Sequence, residues 1–140
     1  MACSSSHSLL LTEEGEVLGA GLNESGQVGL GLVRRIVVEE FQMISLPTSG
    51  CVEKIWCNDG VSGAAIKAGD GSLEIWIWGR FEAQNQMDEC APRMISIPSE
   101  ILNKGGIKDI KSSLNALAIL TGNGEVYQYQ SSLSKFLPIQ

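Results

Sequence analysis

The stretch His7-Ser8-Leu9-Leu10-Leu11-Thr12-Glu13-Glu14-Gly15-Glu16-Val17 decides how the rest of the chain is read. An apolar run, a short polar turn ending in glycine and a second apolar start describe a β-hairpin. The pattern returns at Ala64-Ala65-Ile66-Lys67-Ala68-Gly69-Asp70-Gly71-Ser72-Leu73 and at Leu117-Ala118-Ile119-Leu120-Thr121-Gly122-Asn123-Gly124-Glu125-Val126. The turn glycines Gly15, Gly71 and Gly124 lie 56 and 53 residues apart, a spacing that marks a repeat architecture. Asp70-Gly71 and Asn123-Gly124 are pairs favoured by the two-residue type I′ turn, in which both central residues take positive φ.

Outward from the hairpins, Val52–Cys57 and Ile107–Ser112 read as strands that precede the second and third copies. Phe41–Pro47 and Pro92–Pro98 read as strands that follow the first and second, each closed by a proline that cannot extend a ladder. The unit is therefore about four strands. In Leu73-Glu74-Ile75-Trp76-Ile77-Trp78 the isoleucines point to one face and the tryptophans to the other, so both faces need cover. Sheets stacked blade against blade in a ring supply that cover, and the period favours the ring over a sandwich.

The first copy closely resembles the regulator of chromosome condensation repeat. The likeness rests on Ala2-Cys3, on His7-Ser8-Leu9 through Glu14-Gly15-Glu16-Val17, and on the loop Asn23-Glu24-Ser25-Gly26-Gln27-Val28-Gly29-Leu30-Gly31. The later copies depart from it. Val61 and Ala116 stand where the first has His7, and Cys57 and Ser112 where it has Cys3. Copy two keeps Trp78-Gly79, but its loop loses the glycine that Gly26 supplies, and copy three has no such loop.

The resemblance implies an all-β fold of four-stranded antiparallel propeller blades, incomplete relative to the family's seven-bladed ring. One partial-propeller domain is expected over residues 1–140, with units near 2–47, 48–98 and 99–138, about two and a half repeats, the first lacking its leading strand. His7, Gly15, Gly26, Gly29, Gly71, Trp78, Gly79 and Gly124 are the structural repeat positions. Open blades leave strand edges and apolar faces uncovered. A longer parent protein, a second copy of the chain, or a different polypeptide supplies the missing blades.

Composition narrows the function. Sixteen acidic against 10 basic side chains give a net charge of −6, which repels phosphate backbones, so no direct nucleic-acid binding is expected. No window has the run of apolar residues a spanning helix needs, and Met1-Ala2-Cys3-Ser4-Ser5-Ser6 lacks a charged n-region, so an intracellular protein of cytoplasm or nucleus is expected. In that setting the Asn23-Glu24-Ser25 acceptor triplet carries no weight. Cys3, Cys51, Cys57 and Cys90 read as reduced and buried, and their spacing offers no zinc set.

Catalytic chemistry finds little footing. His7 is the one histidine, and the neighbouring Ser4, Ser5, Ser6 and Ser8 sit in no motif that raises a nucleophile, so an esterase reading is remote and no catalytic, cofactor or metal residue is expected. The run Gly26–Gly31 lacks the Lys-Ser or Lys-Thr of a phosphate loop. Glu13-Glu14, Glu39-Glu40 and Asp88-Glu89 are sequential pairs whose members splay apart on extended chain. The candidate partner-binding residues are Arg80-Phe81, an arginine and an aromatic on a loop, and the basic doublet Arg34-Arg35. A non-enzymatic protein-interaction scaffold is the expected function. Guanine nucleotide exchange on a small Ran-like GTPase, an activity the resemblance implies for some members, is the alternative.

Overall fold

The computed structural model describes residues 1–24, 26–30, 36–46, 50–58, 60–79, 92–113, 116–130, 133 and 135–139. Among these residues twelve strands form three antiparallel sheets of four, each a meander in chain order. The first holds β1 (Ala2–Cys3), β2 (His7–Leu11), β3 (Val17–Leu22) and β4 (Val37–Ile44). The second holds β5 (Cys51–Asn58), β6 (Val61–Lys67), β7 (Leu73–Gly79) and β8 (Arg93–Ser96). After the short helix α1 (Ser99–Leu102), the third holds β9 (Ile107–Ser112), β10 (Leu117–Thr121), β11 (Val126–Gln130) and β12 (Lys135–Ile139). These sheets are the blades of a partial β-propeller.

The registers repeat. Cys3 faces Ser8, Cys57 faces Ser62, and Ser112 faces Leu117, so these pairs occupy one place in successive sheets. Three details differ from the sequence reading. The first sheet does have a leading strand, β1, whose two residues are too few to show a period. The strand expected from Phe41 begins at Val37, because an irregularity between Gly19 and Gly21 carries the pairing on to Leu22. The short helix α1 was unforeseen; it starts after Pro98, whose missing N–H costs nothing at a helix entry, and it buries Ile101.

The hairpin turns also differ from the two-residue type. Gly15 N–H donates to Thr12 O at 3.1 Å and Thr12 N–H to Glu16 O at 2.9 Å, with matching bonds at Ala68–Ser72 and Thr121–Glu125. Each glycine thus follows the two central residues and takes left-handed φ, at 88°, 85° and 92° for Gly15, Gly71 and Gly124. This is a three-residue loop closed by a glycine bulge, in which only the glycine position demands left-handed backbone. The Thr12 and Thr121 hydroxyls accept the N–H of Glu16 and Glu125, both at 3.0 Å; in the middle hairpin Ala68 stands in the threonine place, and Asp70 Oδ1 accepts the equivalent Ser72 N–H at 2.9 Å.

The sheets bury their faces against one another. Trp76 and Trp78 join Leu9, Val17 and Ile44 in the core between the first two sheets. Ile75 and Ile77 join Ile110, Leu117, Ile119 and Phe136 in the core between the second and third. The middle sheet is covered on both sides, so β6 is buried continuously from Val61 to Ile66. Ile77→Ala should lower the unfolding free energy by about 2–4 kcal/mol in urea titration, whereas Met94→Ala on the neighbouring half-exposed position should cost less than about 1 kcal/mol.

Candidate functional site

The one histidine is consumed by a polar chain that crosses the first seam. His7 is 2% exposed; its Nε2 meets Ser62 Oγ at 2.6 Å and its Nδ1 meets Ser4 Oγ at 2.9 Å. Ser62 Oγ donates its single proton to Gln27 O at 2.6 Å, so the His7 bond must be Nε2–H donating to Ser62. Trp78 Nε1–H donates to the same carbonyl at 3.0 Å. Nδ1 then accepts from Ser4, whose oxygen also receives the backbone N–H of Ser6 and His7. A hydroxyl so engaged is a turn cap, and both imidazole nitrogens are occupied.

The loop that supplies Gln27 is the one singled out for its glycines. Asn23 Oδ1 accepts Val28 N–H at 3.1 Å, Gly26 N–H donates to Asn23 O, and Gly29 N–H donates to Gly26 O. Gly29 has φ +92°, and a Cβ there would lie 2.8 Å from the Trp78 indole nitrogen, so the loop closes on Trp78 only with glycine at this point. Gly79 ends β7 beside Gln27. The glycine-rich run is a clamp between blades.

The second seam has its own polar bonds, which the sequence did not disclose. Trp56 Nε1–H donates to Ser112 Oγ at 2.8 Å, Asn58 Nδ2 donates to Ser112 O at 2.6 Å, and Lys54 pairs with Asp109. The Lys54 ammonium holds the Asp109 carboxyl below its ordinary range. Each contact spans 54 to 56 residues, one repeat period, which was the available signal.

Cys57 lies in the first seam, donating to Ala2 O at 3.5 Å, and burial pushes its thiol up to about 12. The expectation of buried cysteines fails elsewhere: Cys3 and Cys51 are exposed. Cys3 occupies the same place as Cys57, but among the described residues no sheet covers that side of the first blade, and Cys51 pairs with exposed Lys67 at the entry to β5. Cys90 lies outside the described residues, as do all four partner-binding candidates, Arg34, Arg35, Arg80 and Phe81.

The described surface is most apolar on the two end sheets. Met43 is 58% exposed on the first and Ile139 49% exposed on the third. By register, Leu18 repeats the place of buried Trp76, while Val126 and Ile139 repeat those of buried Val17 and Ile44. The outer faces are thus equivalents of faces that are buried in the two internal seams.

Comparison with known proteins agrees with this architecture. The family model described as the regulator of chromosome condensation (RCC1) repeat matches residues 1–27. The ultraviolet-B receptor UVR8 of Arabidopsis thaliana is 31% identical over 117 residues, covering 77% of this chain and 23% of the receptor. The X-linked retinitis pigmentosa GTPase regulator of Canis lupus familiaris is 31% identical over 104 residues, covering 71% of this chain and 10% of that protein. Among solved structures, Prp20p from Saccharomyces cerevisiae superimposes with TM-score 0.66 at 18% identity over 94% of this chain and 32% of its own. Human WBSCR16 gives 0.64 at 22% identity over 91% and 31%. The chain carries a regulator of chromosome condensation repeat at its start and has the fold of a partial propeller of that type, spanning under a third of each of these relatives.

Ser62→Ala strands the His7 Nε2–H and should cost about 1–3 kcal/mol in unfolding free energy. The same variant should speed labelling of Cys57 by a thiol reagent at pH 8. In the parent chain Cys57 should react only on unfolding, since its thiolate forms near pH 12 when folded against 9.0 ordinarily. The linked stability is fully present below pH 9 and declines as pH rises toward 12.

Proposed function

We propose that the chain is a non-enzymatic protein–protein interaction scaffold that works as part of a larger regulatory protein or assembly. The observation that carries this reading is the pair of exposed outer faces, each a repeat-equivalent of a face that is buried internally. Sheets with apolar faces of this kind need a neighbour. The occupied His7 and the seam-bound Ser62 support a structural use of the polar residues most suited to chemistry. Further blades, from a longer parent or from another chain, are the first partners, and a protein bound at the loops is the second. The net charge of −6 disfavours nucleic acid, and among the described residues no helix is long and apolar enough to cross a membrane. Cytoplasm or nucleus is the proposed location.

Guanine nucleotide exchange on a small Ran-like GTPase is the second reading. It is favoured by the relative named as a GTPase regulator and by the structural neighbour Prp20p, which is described with binding to Gsp1p and histones. Two measurements separate the readings. Light scattering of the purified chain across concentrations should give a defined oligomer or aggregation that a longer chain cures; a monodisperse monomer contradicts the open-face account. Release of a fluorescent guanine nucleotide from a Ran-like GTPase should be unchanged by the chain, and acceleration would replace the scaffold reading with exchange activity.

A further inference from the structure

A groove of about 300 Å³ opens along the seam between the second and third sheets, where the β6–β7 turn lies beside the start of β9. Its floor includes the half-buried side chains of Leu73 and Leu102, which pack against the seam core. Its rim carries Lys67 and Lys108, both exposed, together with Glu53 and the Lys54–Asp109 pair. That pair neutralises itself. Glu53 offsets one of the two remaining lysines, so the rim is net positive in a chain of charge −6. Among the described residues neither Lys67 nor Lys108 has an ion-pair partner.

We propose that this groove binds a short acidic segment of a partner protein, seating one leucine-sized side chain on Leu73 and Leu102 with flanking carboxylates at Lys67 and Lys108. The proposal rests on the scaffold reading and specifies one of its partners. Apolar pockets with a few convergent polar groups at the edge are the usual form of recognition sites, and the charge excess selects the sign of the ligand. The site is independent of the outer faces, because both of its walls belong to an internal seam. An open groove with charge on both flanks suits a peptide chain, which can present carboxylates on either side of the buried side chain.

The test uses the whole 140-residue chain. The probe is a fluorescein-labelled, capped peptide of alternating glutamate and leucine, read by anisotropy, with hydrogen exchange mapping where it binds. Saturable binding that protects the segments around residues 67–73 and 102–108 is expected. Lys67→Glu with Lys108→Glu should weaken it by roughly tenfold or more, and Glu53→Gln should strengthen it by about two- to threefold. Equal binding of a peptide with lysine in place of glutamate overturns the proposal. So does indifference to the lysine reversals, protection elsewhere, or binding of dodecanoate alone. These exposed substitutions leave the outer faces untouched, so solution mass should match the parent. Failure of the parent chain to bind the peptide sinks the groove alone, whereas accelerated nucleotide release sinks the scaffold reading and leaves the groove result standing.

Discussion

The structure depends on burying both faces of the middle sheet. Along β7, Ile75 and Ile77 enter one core while Trp76 and Trp78 enter the other, so a single strand ties three sheets together. Neither neighbour can be removed without exposing a full apolar face of the second sheet. Stacking of this kind brings inner strands close enough for polar bonds, and each seam has a set. His7, Ser62, Gln27 and Trp78 close the first; Trp56, Asn58 and Ser112 close the second. Burial supplies most of the free energy, and the polar contacts fix the register, since a one-sided loss leaves a buried donor or acceptor unmatched.

Much of this was legible in the chain, for physical reasons. A glycine is required where the hairpin loop turns left-handed, so the repeat leaves a mark at Gly15, Gly71 and Gly124 even after the surrounding residues have diverged. The alternation of Ile75, Trp76, Ile77 and Trp78 showed that both faces were covered. Other features left a weaker trace. The two-residue strand Ala2–Cys3 is shorter than any period, and the turn type is settled by hydrogen bonds outside the Asp-Gly and Asn-Gly pairs. The burial of a cysteine depends on whether a further sheet covers it: Cys57 has that cover and Cys3, in the equivalent place, does not.

The site was harder to read than the fold because its contacts join residues about one repeat apart. Ser62 looks unremarkable beside Ala64 and Ile66 until the stacking of the first and second sheets brings it to His7 and Gln27. The same holds for Lys54 and Asp109, which meet only when the second and third sheets are stacked. The clamp explains why Gly26 and Gly29 serve structure in this chain. The surfaces proposed for partners are the groove between the last two sheets and the outer faces.

An end sheet supported on one side should be less protected than a middle sheet supported on both. Native-state hydrogen exchange measures this directly. Amides of Val61–Ile66 and Ile75–Trp78 should exchange most slowly, at the free energy of global unfolding, while those of β4 and β12 exchange through smaller openings. Uniform protection across the three sheets, or slower exchange in an end sheet than in the middle one, would contradict the account.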